Sequence, residues 1–370
     1  VTHALPPLDG RPLDYASAGV DLAAADRAVR LIRDAVRSTA TPAVLSDLRG
    51  FAGVFALPST GGRRQVLVAS TDGVGTKAMV AAALGRYDTI GVDLVASLVD
   101  DVVTTGAPPL FVLDYLAVGH LDPEMAAEVV EGIAVACRRI GVALLGGEMA
   151  EHPGSLPPGQ FDLAGTAIGL TEEDLLLGAS RVRPGDVLVG IASDGLRCNG
   201  YSLARRALLD RAGRRLDDPA WPGASISLGD ALLWPSRIYA PAVVDVVRAG
   251  GVHAAAHITG GGLPGNLARV LPMGLSARVV LGRLPLPAIF AEVCRAGSID
   301  IEEMARVFNL GVGYVLVVEP ETVDGTLRSL EERGESACVL GEIVPGEQTV
   351  RLEGLEGLFR GDTVAGGSGV

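Results

Sequence analysis

The sequence predicts an α+β protein made of two αβ domains. Three observations lead there. The chain has 370 residues, and an allowance of about 150 residues per domain divides it in two. Apolar residues make up 48% of it, with aromatics at only 4%, so Ala, Val, Leu and Gly must fill large cores. Both halves mix short apolar runs of strand type with helical periodicity, which suits two related αβ units at residues 1–170 and 171–350, followed by a loose tail at 351–370.

Taken in order, residues 1–14 are Pro-rich and irregular. Residues 21–37 have helical spacing, with Leu22, Val29, Ile32 and Val36 as the apolar positions. Residues 51–55 read as a strand, Gly61-Gly62 as a turn, and Val66 opens a second, buried strand. Asp122-Pro123 starts a helix with an N-cap carboxylate and proline at its first position, running to about Ile140. Residues 142–145 form a strand ending in Gly146-Gly147-Glu148. In the second half, Thr171-Glu172-Glu173-Asp174 resembles a capping box and predicts a helix start. Strands are expected at 187–191 and 315–318, helices at 199–209, 243–249 and 323–333, and a surface loop at 211–228.

The net charge of -13 excludes a nucleic-acid partner, since a phosphate backbone needs a basic face. No leader pattern opens the chain and no apolar run reaches membrane-spanning length, so a cytoplasmic location without membrane contact is expected. Cys137, Cys198, Cys294 and Cys338 lack metal-ligand spacing and read as small buried residues or free thiols.

The chemistry concentrates after the Val66 strand, in Thr71-Asp72-Gly73-Val74-Gly75-Thr76-Lys77. Glycines let a backbone approach a polyphosphate, and Asp72 offers a hard oxygen to Mg²⁺. Lys77 is the sole lysine of the chain, which suggests a compact point charge where a guanidinium serves badly. An ordinary Gly-rich turn is an equal reading of the same residues, and the spacing is not that of a Walker A loop. Asp93, Asp100 and Asp101 follow in a very apolar run. Carboxylates there are costly unless paired or metal-bound, and steps of seven and eight put them near one helical face. A solvated acidic edge is the competing reading; with Asp72 upstream, a metal–nucleotide site is favoured. Glu148 at a strand end, and Asn199, each allow a ligand contact or a plain structural role. His257, before Thr259-Gly260-Gly261-Gly262, reads as a satisfied structural histidine, as do His3, His120, His152 and His253. Arg205 and Arg237 are candidates for a substrate phosphate.

These motifs, with Asp88-Thr89-Ile90-Gly91-Val92-Asp93, Gly106-Ala107-Pro108-Pro109-Leu110-Phe111, Leu113-Asp114-Tyr115, Gly146-Gly147-Glu148, Asn199-Gly200-Tyr201-Ser202-Leu203, His257-Ile258-Thr259-Gly260-Gly261-Gly262 and Phe308-Asn309-Leu310-Gly311-Val312-Gly313, resemble the phosphoribosylformylglycinamidine cyclo-ligase (aminoimidazole ribonucleotide synthetase) family over roughly residues 13–345. The resemblance implies an N-terminal ATP-binding and dimerisation domain that lends strands to a dimer β-barrel, a C-terminal αβ domain, and a homodimer. It implies ATP and Mg²⁺ as cofactors, and an amide or amidine substrate carrying a phosphoribosyl group. ATP would phosphorylate the formyl amide oxygen of formylglycinamidine ribonucleotide, and ring closure would expel phosphate. Carried onto this chain, the nucleotide positions are Asp72, Gly73, Val74, Gly75, Thr76, Lys77, Asp93, Glu148, Thr259, Gly260 and Gly261. The metal side is Asp72, Asp93 and Asp101, and the catalytic candidates are Lys77, Asp101, Arg197 and Asn199.

Four departures stand against the family's usual pattern: Ala16 in place of Lys, Arg33 where Lys is frequent, Asp100 where Asn precedes Asp101, and Arg197-Cys198 where His-Ser precedes Asn199. Histidine shuttles protons near neutral pH and arginine does not. A paralogue acting on a different amide is therefore the alternative enzyme. A non-catalytic ATP-binding protein is the third reading, opposed by the intact 72–77 loop.

Overall fold

The computed structural model describes residues 8, 10–48, 50–58, 61–359 and 364–365. His3, most of the expected irregular start and the last residues of the expected tail lie outside them.

The first half is a five-stranded sheet of β1 (Gly53–Ala56), β2 (Gln65–Gly73), β3 (Pro109–Val118), β4 (Ala143–Glu151) and β5 (Phe161–Glu172), in the order β1-β2-β5-β3-β4. Its helices are α1 (Leu22–Ser38), α2 (Lys77–Leu84), α3 (Ile90–Val103) and α4 (Pro123–Ile140). All pairings are antiparallel except β3 with β4, whose parallel register requires the α4 crossover. Val66, Val68, Val112 and Leu163 are fully buried on the helix side of the sheet. α4 is stopped at both ends as its sequence dictates. Asp122 accepts from the amides of Glu124 and Met125, and Gly141 takes a left-handed φ of 70°. α3 crosses α4 closely because Gly91 and Gly132 meet there. A Cβ on Gly91 would stand 2.3 Å from the Ile133 nitrogen.

The second half is a six-stranded sheet of β6 (Val187–Ala192), β7 (Val252–His257), β8 (Leu275–Val280), β10 (Val312–Val318), β11 (Ala337–Pro345) and β12 (Val350–Glu353), ordered β12-β8-β11-β6-β10-β7. A two-residue bridge joins β9 (Leu286–Pro287) to β13 (Val364–Ala365). The helices are α5 (Tyr201–Arg205), α6 (Leu228–Leu233), α7 (Ala240–Ala249), α8 (Gly262–Leu267), α9 (Ala288–Gly297), α10 (Ile301–Val307), α11 (Val323–Glu332) and α12 (Leu355–Leu358). All seven residues of β10 are buried, the pattern of a strand covered on both faces. The α+β class expected from the sequence is the class found.

Several local expectations are corrected. Thr171-Glu172-Glu173-Asp174 starts no α-helix: β5 runs through Glu172 and only a single 3₁₀ turn, Glu173–Leu175, follows. β4 does not end at the glycines but continues to Glu151, held by its ladder with β3. The helix expected at 199–209 begins at Tyr201 behind a left-handed Gly200, and from Arg206 to Arg211 it widens into a π-turn. Asn199 therefore caps nothing. The tail expected from 351 is sheet and helix as far as Leu358, because β12 pairs with β8 and Leu358 is buried. The helix at Leu22–Ser38 forms, capped by Asp21, but it buries none of its residues, and Val29, Ile32 and Val36 stay exposed.

Candidate functional site

α3 lies against both halves and carries the acidic cluster. The 100° step per residue keeps Asp93 and Asp100 nearly in line and turns Asp101 about a quarter of the way round. The structure follows this division.

Asp93 and Asp100 are fully buried and bonded to the second half, Asp93 also being paired with Lys77 of the first. Asp93 Oδ1 accepts from the amide and hydroxyl of Ser236, and its Oδ2 lies 2.6 Å from Lys77 Nζ. Lys77 is itself fully buried, donates to the Trp234 carbonyl at 2.7 Å and sits over the Tyr201 ring. This arrangement differs from the one the sequence suggested. Asp93 is turned into the interior, with Ser236 on one oxygen and the Lys77 ion pair on the other, and offers no open oxygen to solvent. The Lys77 ammonium is enclosed in protein. A compact ammonium fits this pocket where a planar guanidinium would not.

Asp100 Oδ1 accepts from the amides of Tyr239 and Ala240, at the start of α7. Its Oδ2 faces Arg197 Nη2 at 2.9 Å. Burial draws the Asp100 carboxyl upward, and Arg197 opposes that. Arg197 is buried, adopts a left-handed φ of 61°, lies over the Tyr239 ring and donates to the Arg237 carbonyl. Its Nη2 also meets His257 Nε2 at 3.0 Å. A guanidinium has no acceptor, so Nε2 accepts, and Nδ1–H donates to Asp101 Oδ1 at 2.8 Å. His257 is fully buried and its pKa is pushed down to about 3, by burial first and Arg197 second. It is neutral at physiological pH.

Asp101 faces the open side of this chain. Ser70 donates to its Oδ2 at 3.2 Å, yet burial outweighs that bond and raises the carboxyl to about 7. Asp72, on the same helix-facing side of β2 as Ser70, remains accessible to solvent. The surrounding walls still strip enough water to raise its pKa, and the Asp101 charge adds to the shift. Two neighbouring carboxylates that both hold protons too tightly form an oxygen donor set suited to a hard divalent cation.

The glycine segments of the two halves meet beside these acids. The Gly75 Cβ position is 3.8 Å from the Cys198 carbonyl, Thr76 Oγ1 meets Ser202 Oγ at 3.2 Å, and the Gly260 Cβ position is 3.6 Å from Asn199 Oδ1. Gly73 and Val74 carry the β2 end into this turn, with Val74 buried and its amide bonded to the Leu163 carbonyl. Thr259, Gly260 and Gly261 are held from below by buried Asn266, which donates to the carbonyls of Thr259, Gly260 and Gly262. Gly200 is required: its φ is 75°, and a Cβ there would stand 2.1 Å from the Phe308 ring.

Glu148 does not join the site within one chain. It pairs with Tyr115 on the open face of the sheet, whereas Asp72 shares the helix-facing row of Gly165 and Gly147. Three strand spacings, roughly 14 Å, also separate β2 from β4. Arg237 is occupied by Asp194 and Glu335. His120, His152 and His253 have carboxylate or hydroxyl partners in Glu151, Tyr115, and Asp186 with Glu319. The residue that sequence reasoning does not single out is Ser70, a small hydroxyl inside an apolar strand run. Asp100 is read only as part of the acidic cluster and His257 only as a structural histidine, and the structure joins both through Arg197. Among the described residues, no group of three or more His, Cys, Asp or Glu side chains is arranged to hold a metal.

Comparison with known proteins agrees with this layout. Residues 49–171 match the family described as AIR synthase related protein, N-terminal domain, and residues 183–353 match AIR synthase related protein, C-terminal domain. The phosphoribosylformylglycinamidine cyclo-ligase of Sorangium cellulosum (strain So ce56) is 49% identical over 332 residues, 89% of this chain and 95% of that protein. The protein of the same name from Anaeromyxobacter sp. (strain Fw109-5) is 50% identical over 336 residues, 90% of this chain and 96% of its own. Among solved structures, thiamine-monophosphate kinase from Stenotrophomonas maltophilia K279a shares the fold at a TM-score of 0.59 and 19% identity, over 89% of this chain and 95% of that one. T. maritima PurL complexed with ATP does so at 0.54 and 20%, over 87% and 46%. With both domain matches in place and half the residues shared with relatives of equal extent, the chain belongs to the AIR synthase related family.

Proposed function

We propose that this chain is an ATP-dependent cyclo-ligase that converts formylglycinamidine ribonucleotide to aminoimidazole ribonucleotide, a step of purine biosynthesis. The γ-phosphoryl group of ATP passes to the formyl amide oxygen. A substrate nitrogen attacks the activated carbon, the C–O bond breaks and phosphate leaves, and the ring closes. The extent and identity of the match to curated cyclo-ligases support this activity.

The geometric feature that supports it most directly is the placement of Asp72 at the Gly73–Gly75 turn, with Asp101 held by Ser70 two residues before it on β2. Asp72 and Asp101 would hold Mg²⁺, which neutralises phosphate charge when bound. ATP binding gains support from the ATP-bound neighbour of the same fold. The Gly73–Thr76 backbone and the Thr259–Gly261 segment approach the nucleotide, and Asn199 meets the substrate from above Gly260. Lys77 and Asp93 act here by shaping the loop from beneath, as Arg197 and Asp100 shape the acids. Catalysis of this type is chiefly positioning and charge neutralisation.

The same reading assigns residues 1–170 to nucleotide binding and dimerisation, and 171–350 to the second wall of the cleft. Phe55, Leu113 and Tyr115 are 44%, 38% and 40% exposed on the open face of the first sheet, an apolar surface suited to a second copy in a homodimer. No helix among the described residues is long and apolar enough to cross a membrane. The paralogue alternative rested on the departures from the family pattern. Two of them, Asp100 and Arg197, contact each other, so one paired exchange accounts for both.

The test is ADP release from Mg-ATP with and without formylglycinamidine ribonucleotide. The expected result is release that depends on that substrate, with an imidazole product. Protein that binds Mg-ATP but releases no ADP with this substrate contradicts the assignment.

A further inference from the structure

We infer that Arg197 and Asp100 form a positioning pair that fixes the tautomer of His257 and thereby holds the Asp101 carboxylate in its orientation against Ser70 of β2. Four side chains form one continuous line: Asp100 Oδ2 to Arg197 Nη2 at 2.9 Å, Arg197 Nη2 to His257 Nε2 at 3.0 Å, and His257 Nδ1 to Asp101 Oδ1 at 2.8 Å. Three of the four are essentially closed to water, and only Asp101 retains appreciable exposure, 15% of its side chain.

The direction of each bond follows from the donor inventory. Arg197 can only donate. His257 Nε2 must then be the bare nitrogen, and the single ring proton sits on Nδ1. Without Arg197 the Nδ1–H tautomer would be held from the Asp101 side alone, and the Nε2–H tautomer would become accessible. Its Nδ1 lone pair would then face the Asp101 oxygen, and that carboxylate would turn away.

The guanidinium is in turn held by three features. Asp100 is pinned by the Tyr239 and Ala240 amides. The Tyr239 ring lies beneath the guanidinium, 4.7 Å from its carbon. The Arg237 carbonyl accepts from Nη1 at 2.7 Å. The opposite end of the line, Asp101 Oδ2, is tied by Ser70, two residues before Asp72 on β2. Asp101 is thus fixed at both oxygens by groups that are themselves fixed. Arg197 is only 4% exposed, and its guanidinium is enclosed by these protein partners. The arginine that replaces the family's usual histidine acts through another residue, and so does the aspartate that replaces asparagine.

This inference rests on the proposed Mg-nucleotide site for its functional consequence, whereas the tautomer can be measured without it. The experiment uses the full chain labelled with ¹⁵N-histidine and long-range ¹H–¹⁵N correlation spectra, with His257→Gln to identify the His257 signals. The wild type is expected to show His257 protonated at Nδ1 and bare at Nε2. The paired variant Asp100→Asn/Arg197→Met removes the donor without leaving a buried charge alone. It is expected to keep a melting temperature close to wild type, to move His257 toward the Nε2–H tautomer, and to bind Mg-ADP about tenfold or more weakly, the usual scale for losing a group that orients a metal ligand. The single variant Arg197→Met is expected to lose stability as well.

A merely structural ion pair predicts a different outcome, because neutralising both partners would restore stability and Mg-ADP affinity together. A wild-type His257 protonated at Nε2 overturns the inference. So does a tautomer change in the paired variant with unchanged Mg-ADP affinity, and so does wild-type protein that holds no Mg-ADP. Turnover of formylglycinamidine ribonucleotide is scored separately, so an inactive wild type with the expected tautomer and Mg-ADP affinities counts against the substrate and not against the positioning pair.

Discussion

Lys77 Nζ stands 2.6 Å from Asp93 Oδ2 with both side chains fully enclosed. The only lysine of the chain therefore faces the core between the two halves, with the Trp234 carbonyl as its other polar partner.

Removing one member of such a pair strands the other. Lys77→Met should cost roughly 3–5 kcal/mol of stability, and the double variant Lys77→Met/Asp93→Asn clearly less. Denaturant midpoints of the two proteins check this. A single variant as stable as wild type but unable to bind Mg-ATP would return Lys77 to the role of phosphate ligand.

Asp101, raised to about 7, carries a proton on a large share of molecules at neutral pH. A cation needs the bare carboxylate. Binding of Mg-ATP should therefore release protons, approaching one from this residue as the pH falls below 7 and fading as it rises well above. Calorimetry in two buffers of different ionisation heat measures the number. Asp101→Asn should abolish this contribution, and proton uptake at pH 6 would contradict the site.

The open face of the first sheet should bury itself in a dimer. Leu113→Glu/Tyr115→Glu places charge on that face, away from the Asp72 side. Sedimentation should show a dimer for wild type and a monomer for the variant, with far-UV circular dichroism unchanged. A wild-type monomer at micromolar concentration would remove the dimer from the proposal.

Elements that announce themselves locally were legible in the sequence. α4 carries its own cap, its proline and its terminal glycine, and β10 is one unbroken apolar run. The capping-box pattern at Thr171 failed because the β2 ladder, from Gln65 opposite Glu172 onward, holds that stretch extended, so tertiary pairing overrode a local signal. Glycines at 146–147 suggested a strand end, yet Gly147 is there because Asp114 leaves no room for a Cβ. The site was legible as a set of residue types, but its division was not. Helical spacing placed Asp93, Asp100 and Asp101 near one another. Nothing local said that Ser236, Tyr239 and Arg197 would claim the first two and leave Asp101 to Ser70 and His257.

The way α3 is shared has a mechanical consequence. Its two buried acids are bonded to the backbone at Ser236, Tyr239 and Ala240, and the N-terminal arm is also tied across, with the Leu13 amide on the Gly297 carbonyl and the Tyr15 amide on Glu303. Swinging one half away from the other would bring Lys77, Asp93, Asp100 and Arg197 into water at a single stroke. Contacts of this kind oppose a hinge motion between the halves, because each one would have to break together with the others.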